Sequence, residues 1–193
     1  MERWEAVSLG RPPASTDTAV INGGSDNIGT SAITVAGLTQ SGGTISGSST
    51  LTVKGAATFS GAAIQTGTGT TVLDGTSQLN GTLYLEGGRV LENAGILTLL
   101  GGGIELDPGT FQNEAGAKFL IESNSTAVGL GTGTGGFTNS GLVEKEASTG
   151  TSTQRRLYRH HHGHRVGAVG QPWTSPMAAA PAPRPSPWRP APP

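Results

Sequence analysis

One phrase is written three times between Val90 and Val143: Leu91-Glu92-Asn93-Ala94-Gly95-Ile96, Phe111-Gln112-Asn113-Glu114-Ala115-Gly116 and Phe137-Thr138-Asn139-Ser140-Gly141-Leu142. Each copy has an apolar residue, any residue, Asn, and then a Gly that precedes a fresh apolar run. The Asn residues lie 20 and then 26 residues apart. A repeat of this length that is built on short apolar runs is typical of a coiled array of stacked turns.

The phrase predicts a corner followed by a strand. Asn and Gly both tolerate the left-handed backbone region, and Asn can also bond its own backbone. The predicted turn residues are Asn93, Gly95, Asn113, Gly116, Asn139 and Gly141. If successive turns stack, the Asn side chains come into register and hydrogen-bond one another along the stack. The Gly/Thr run from Gly129 to Gly136 falls in the longer gap, where we expect a loop that swells out of one turn.

Short alternating runs between Ser31 and Leu106 predict further strands of the same array. They alternate with period two, with apolar side chains facing inward and Thr, Tyr or Glu facing outward. The clearest runs are Ile33-Thr34-Val35, Thr50-Leu51-Thr52-Val53, Thr70-Thr71-Val72-Leu73, Leu83-Tyr84-Leu85 and Ile104-Glu105-Leu106. Ordinary hairpin turns of an antiparallel sandwich are the alternative interpretation of this pattern.

The composition favours a narrow core. Apolar residues make up 34% of the chain and aromatic residues 5%, and the 32 glycines are about twice the usual share. A solenoid tolerates this composition because its core is a thin column of small side chains. No stretch has the roughly 18 apolar residues that a membrane span needs, and residues 1–5 lack the features of a secretory signal. The absence of Cys excludes disulfides, thiolate metal sites and a cysteine nucleophile.

Charge divides the chain into two chemically different parts. Residues 1–153 carry 13 acidic and 6 basic groups, whereas residues 154–193 carry six Arg, all four His and no acid. The second part also holds nine of the 12 Pro. We therefore expect an extended lead over residues 1–19, in which Trp4 can cap the stack, a solenoid over residues 20–153, and a disordered Pro/Arg-rich tail over residues 154–193. A displaced reading frame from about Thr153 would also explain this tail.

The Gly/Thr-rich runs Gly42–Val53, Ala57–Gly61 and Gly67–Val72 resemble the β-strand repeats of very large bacterial surface and secreted proteins, both adhesin-like and autotransporter-passenger-like. The lead from Ser8 to Ile21 resembles the segment that often opens such arrays. The resemblance covers roughly residues 8–153. It implies an all-β, right-handed parallel β-solenoid (β-helix) that is exported and acts as a stalk or an adhesive surface. A fold of this kind does not by itself define an activity.

These features predict a structural and adhesive segment of a bacterial cell-surface or secreted protein, with neither catalysis nor cofactor. We expect it to be extracellular as part of a longer precursor, since this chain has no signal peptide of its own. The expected partner is a host or environmental surface ligand, with polysaccharide as one class, and end-to-end self-association is expected if the last turn is uncovered. We expect no nucleic-acid partner and no membrane insertion. The alternatives are a polysaccharide-binding or polysaccharide-processing β-helix module and a gene fragment with no function of its own.

Candidate chemical sites are few. The cluster His160-His161-His162-x-His164 contains imidazoles that suit Zn²⁺ or Ni²⁺, and the segment Gly23–Gly29 is one imperfect copy of a calcium-binding β-roll repeat. Polysaccharide lyases and hydrolases need two or three carboxylates on one face. The charged residues of the array instead stand singly along strand edges and are interpreted as solvated: Glu86, Arg89, Glu105, Asp107 and Glu122. We therefore expect no catalytic, metal or cofactor-binding residues.

Overall fold

A computed structural model of the chain describes residues 13–131, 135–146, 153–154 and 165–166. These residues form an all-β parallel β-solenoid of about six turns, which confirms the predicted fold class. Every strand pairing among them is parallel. The antiparallel sandwich is therefore excluded. No helix in the described ranges has the length and apolar character that would let it cross a membrane.

Each turn has three faces, and the first three turns contain eight strands. These strands are β1 Thr18–Ile21, β2 Ser25–Asn27, β3 Ile33–Val35, β4 Gly37–Gln40, β5 Thr44–Ser46, β6 Thr50–Val53, β7 Ala57–Gln65 and β8 Thr70–Leu73. The first face stacks β1, β4 and the start of β7. The second face stacks β2, β5 and the end of β7, and the third face stacks β3, β6 and β8.

The next strands continue the three faces. β9 Thr76–Asn93 and β10 Ile96–Asn113 each run around a whole turn, and the sixth turn contains β11 Lys118–Ile121, β12 Thr126–Leu130 and β13 Gly136–Asn139. β14 Leu142–Lys145 then returns to the first face. Two short strands follow, β15 Thr153–Gln154 and β16 Arg165–Val166, which pair with β12 and β14.

The predicted alternation accounts for the core. In β6, for example, Leu51 and Val53 are buried while Thr50 and Thr52 are partly exposed. The four Phe side chains all face inward, and the Phe111 ring lies 4.9 Å from that of Phe137 and 5.0 Å from that of Phe119. The core of the upper turns is thus an aromatic stack that continues the aliphatic column of the lower turns.

The 26-residue gap between Asn113 and Asn139 is not one swollen loop, and this expectation was wrong. The offset between paired residues of the fifth and sixth turns is 22 at Ile96 and Lys118, 24 at Ile104 and Val128, and 26 at Thr110 and Gly136. The extra residues are therefore distributed over all three corners, two at each. Strand pairing fixes the faces, so a corner is the place where length can change.

The two ends of the coil differ in their pairing. Residues 1–12, including Trp4, lie outside the described residues, and so does most of the predicted tail. The last turn is covered on its first face, because β16 pairs with β14 and places Arg165 beside Val143 and Val166 beside Glu144. At the other end, and counting only strands that the structure describes, β1, β2 and β3 each pair on one side.

Candidate functional site

The three predicted turn asparagines form an asparagine ladder, which we define as Asn93, Asn113 and Asn139. They are in register at the end of the third face and are at most 2% exposed. Asn93 Nδ2 donates to Asn113 Oδ1 at 2.7 Å, and Asn113 Nδ2 donates to Asn139 Oδ1 at 2.7 Å. The Asn side chains therefore face the interior and connect the fourth, fifth and sixth turns.

The three predicted turn glycines are needed for two different reasons. Gly116 has φ +86°, the left-handed conformation that the sequence predicted. Gly95 and Gly141 do not adopt it, and what they provide is space. A Cβ at Gly95 would collide with the Gly75 carbonyl oxygen, and one at Gly141 would collide with the Ala117 carbonyl oxygen. The close stacking of corners is a tertiary requirement that turn propensity does not reveal.

A second buried network crosses the interior of the lower turns. We define the inner polar chain as Gln40, Gln65, Thr71 and Arg89, all 0% exposed. Arg89 Nη2 donates to Thr71 Oγ1 at 2.7 Å, and Thr71 Oγ1 donates to Gln65 Oε1 at 2.6 Å. Gln65 Nε2 donates to Gln40 Oε1 at 3.1 Å, and Gln40 Nε2 donates to the Ile64 carbonyl oxygen at 3.0 Å. Each residue in this series donates to the next, from Arg89 through Thr71 and Gln65 to Gln40, and bonds that are aligned in this way strengthen one another.

Arg89 is a buried cation, and its interpretation as a solvated edge charge was wrong. Its Nη1 is 3.4 Å from the Gly47 carbonyl oxygen, its Nε has no hydrogen-bond partner, and no ion pair joins it to any described carboxylate. Burial lowers the pKa of Arg89 well below its ordinary value, to about 10. The residue lies two and four positions before Leu91 and Asn93, so the alternation of β9 already placed it inward. That signal was available in the sequence.

The second face carries an outer patch, which we define as Tyr84, Glu86, Glu105 and Asp107. Tyr84 is opposite Glu105, and Glu86 is opposite Asp107, on neighbouring strands of the sheet. Paired positions lie about 4.8 Å apart, and alternate residues along a strand are about 6.6 Å apart. The expectation that these charges stand singly was therefore wrong. The paired residues lie about 20 positions apart in the sequence, yet the fold brings one phenol and three carboxylates together in a compact group.

Glycines of the sixth turn leave room for the outer patch. A Cβ at Gly129 would collide with the carboxylate of Glu105, and one at Gly131 would collide with the side chain of Asp107. Tyr84 is 36% exposed, which makes it one of the two large apolar side chains that the described surface presents. Carboxylates beside an exposed ring can accept hydrogen bonds from hydroxyl or amino groups of a ligand that stacks on the ring.

Another acidic group lies where the third face ends. Lys54 Nζ pairs with Asp74 at 2.5 Å, and Glu92 is close to Asp74 and Glu114. Burial raises the pKa of Glu92, and the negative charges of Glu114 and Asp74 raise it further. This surface therefore carries uncompensated negative charge.

The first face ends at another inward cation. Lys145 Nζ donates to the Ser123 carbonyl oxygen at 2.6 Å and to Asn124 Oδ1 at 3.1 Å. Burial lowers the pKa of Lys145. This side chain ties β14 to the first corner of the sixth turn.

The predicted metal candidates have different outcomes. The His cluster at 160–164 lies outside the described residues. In the Gly23–Gly29 segment, Asn27 Oδ1 accepts a hydrogen bond of 2.7 Å from the Gly29 amide, as in an ordinary turn. Within the described ranges, no three His, Cys, Asp or Glu side chains are arranged to hold a metal ion.

No protein-family model, curated protein or solved structure matches this chain. What is established is therefore the β-solenoid fold of about six turns.

Proposed function

We propose that this chain is a structural and adhesive segment of a bacterial cell-surface or secreted protein and that it has no catalytic role. The observation that carries the proposal is the unbroken path of parallel pairing along the first face, from β1 through β4, β7, β9, β10 and β11 to β14. Each turn hydrogen-bonds to the next, so the stability of the coil is a sum of interfaces between neighbouring turns. Six turns at about 4.8 Å each give a rod of about 30 Å.

The extracellular location and the longer precursor are supported by the Gly/Thr-rich repeats that resemble bacterial surface and secreted proteins. Outward Thr side chains recur along the rod, as at Thr39 and Thr58 on the first face and Thr52 on the third. Such a surface offers hydroxyl groups to an environmental ligand. Three carboxylates do share one face in the outer patch, but Arg89, the cation of the same strand, points into the coil and cannot act beside them.

The stalk role can be tested by extending the full chain from its two ends in optical tweezers. We expect the turns to detach one after another, each releasing about 20 residues and thus about 70 Å of contour length. Extension without resistance would contradict the role. The adhesive role is tested by applying the full chain to arrays of glycans and extracellular-matrix proteins, where binding to none would contradict it.

The second candidate function is polysaccharide binding, and the outer patch favours it. The ring of Tyr84 is exposed beside Glu86 and Glu105, an arrangement suited to stacking a sugar ring while carboxylates accept its hydroxyl protons. The negative charge selects neutral or amino sugars over acidic ones. The remaining aromatic residues of the described array, all Phe, are buried, so a row of aromatic residues on one face is not the binding device.

A glycan array with matched variants separates the two candidates. If the outer patch binds sugars, Tyr84→Ala and Glu105→Gln should each abolish the binding of neutral or amino sugars. The exposed Glu122→Gln change serves as the control and should leave binding intact. Binding that survives both patch changes would place the adhesive surface elsewhere on the rod.

End-to-end self-association is proposed at the first turn, where β1, β2 and β3 leave one edge of each strand unpaired by the described residues. Edges of this kind pair with other chains unless they are covered. Sedimentation of the full chain as a monomer at high concentration would contradict this proposal.

A further inference from the structure

The stacking of the turns has a feature that hydrophobic burial does not explain. From the second turn to the sixth, each step between consecutive turns carries a buried hydrogen bond between two side chains. These bonds join Gln40 to Gln65, Thr71 to Arg89, Asn93 to Asn113, and Asn113 to Asn139. We propose that this series of polar links, and the inner polar chain in particular, fixes the register in which the turns stack.

The apolar pattern by itself leaves the register open. In a strand, a shift of two residues returns every inward side chain to the inward face. On the third face, β8 presents Thr71 and Leu73 to the interior, and the paired stretch of β9 presents Leu91 and Asn93. After a shift of two residues, Leu73 would face Leu91, and the core would still be filled by an aliphatic pair. The buried apolar area is therefore similar in the two registers and does not by itself favour the observed one.

The contacts of the inner polar chain, in contrast, favour the observed register over the shifted ones. The shift that pairs Leu73 with Leu91 also places Thr71 beside Arg89, at the position that Gly69 holds in the observed register. A Cβ at that position would lie 2.6 Å from Arg89 Nη1, so the guanidinium would be displaced. The opposite shift pairs Thr71 with Asn93 and moves it about 6.6 Å away from Arg89 Nη2, from which Thr71 Oγ1 accepts a hydrogen bond of 2.7 Å in the observed register. In this second case the guanidinium would keep only its 3.4 Å contact to the Gly47 carbonyl oxygen, with Nε already unpartnered. A charge buried without partners is strongly destabilising, so the shifted register is disfavoured even though it keeps the core apolar.

The position of Arg89 is what makes this control specific. A Cβ at Gly69 would lie 2.6 Å from Arg89 Nη1, so the guanidinium occupies space that a glycine of the preceding turn leaves empty. Arg89 thus recognises one corner of the third turn by shape and one hydroxyl, that of Thr71, by hydrogen bonding. The asparagine ladder begins four residues later and continues the same control through the fifth and sixth turns.

Disulfide trapping tests the proposal, because the chain has no Cys of its own. In the observed register, outward Val72 is paired with Glu92, and the Cα separation of about 4.8 Å suits a disulfide. A shift of two residues would instead pair position 72 with position 90, or position 70 with position 92. These two pairs are about 8 Å apart in the observed register, too far for a disulfide.

The three Cys pairs are placed in the otherwise unchanged full chain and in a variant whose inner polar chain is apolar: Gln40→Leu, Gln65→Leu, Thr71→Val and Arg89→Met. Peptide mass spectrometry after mild oxidation gives the yield of each disulfide. In the unchanged chain we expect only the 72/92 bond. In the apolar variant we expect the 72/90 and 70/92 bonds to rise at least tenfold. Ser77→Ala, which removes a buried hydroxyl with no hydrogen-bond partner, is the control and should leave the pattern unchanged.

An apolar variant that is folded by circular dichroism and forms only the 72/92 bond would overturn the proposal, because the register would then be fixed without the polar chain. An unfolded apolar variant would also overturn it, since the polar chain would be needed for stability and not for register. Arg89→Met alone provides a second test. Trapping of a shifted pair in this variant supports the proposal, and trapping of the 72/92 pair alone opposes it.

Discussion

Asn93 Nδ2 donates a hydrogen bond of 2.7 Å to Asn113 Oδ1 across one step of the coil, and both side chains are buried. The two residues nevertheless have different surroundings. Asn93 is the first member of the ladder, and its Oδ1 has no donor because Leu73 occupies the equivalent position one turn below. Asn113 is the middle member and bonds in both directions.

This difference predicts unequal effects of the same substitution. Asn93→Leu moves the unpartnered side-chain acceptor from Asn93 to Asn113 and removes one bond to the Lys118 carbonyl oxygen, so we expect a loss of unfolding free energy of at most about 1 kcal/mol. Asn113→Leu leaves Asn139 Oδ1 without its donor while the unpartnered Oδ1 of Asn93 remains, so we expect a loss of about 2 to 4 kcal/mol. Denaturant titration of the full chain measures both values. Equal losses from the two substitutions would contradict this prediction, because stability would then not depend on how many buried amide oxygens lack a hydrogen-bond donor.

Phe119 and Leu120 are neighbours on β11 that face opposite sides of the sheet. Phe119 is 0% exposed, so Phe119→Asp should cost several kcal/mol as an unpaired buried charge. Leu120→Asp, which faces outward, should cost far less. Thermal unfolding followed by circular dichroism compares them, and similar losses would contradict the alternation on this strand.

Arg89 lowers the stability of the coil at neutral pH. Burial lowers its pKa in the folded chain to about 10, and each pKa unit corresponds to about 1.4 kcal/mol. Holding the group charged therefore costs free energy below pH 10, on the order of a few kcal/mol, and this cost shrinks as the pH rises above 10. The removal of Arg89 should thus be tolerated at pH 7.

We expect Arg89→Met to keep or raise the unfolding free energy at pH 7, since Thr71 still bonds to Gln65 and Gly47 O still accepts from the Gly69 amide. Arg89→Ala should lower it, because the shorter side chain leaves a cavity. Denaturant titration gives both values. A Met variant as unstable as the Ala variant would show that the guanidinium contributes net stability.

Glu92 carries a pKa raised by burial and by the charges of Glu114 and Asp74. A raised carboxyl pKa means that the folded state binds the proton more tightly than the unfolded state, so this group adds stability as the pH falls through the raised pKa. Glu92→Gln should therefore stabilise the coil at pH 7, on the order of 0.2 to 1 kcal/mol, and the gain should vanish well below pH 4.5. Thermal unfolding across this pH range checks it, with Glu122→Gln as a control that should show no such trend.

Gly95 and Gly23 separate close packing from turn propensity. A Cβ at Gly95 would collide with the carbonyl oxygens of Gly75 and Asp74, whereas one at Gly23 would have no atom within 4 Å. Neither residue is in the left-handed region. Gly95→Ala should therefore lower the unfolding temperature, and Gly23→Ala should leave it nearly unchanged. If both were neutral, the corners would be able to move apart at little cost.

Much of the fold was predictable because it depends on local pattern. The repeated phrase around Asn93, Asn113 and Asn139 and the alternation of the short strands specify which side chains face inward, and they predict a stack of turns. The burial of Phe119 followed from the same alternation. These features need only the geometry of a strand and the conformational preferences of Asn and Gly.

The sequence by itself therefore predicted a solenoid of stacked turns, the inward face of each strand and the placement of the asparagines in one column, and the observed pairings excluded the antiparallel alternative. Only the tertiary structure decided which residues become lateral neighbours: Arg89 with Thr71, Glu86 with Asp107, and the Gly95 corner with Gly75. The physical reason is that the register between neighbouring turns depends on the number of residues in every corner. A local pattern determines the direction in which a side chain points, but it does not determine the lengths of the corners.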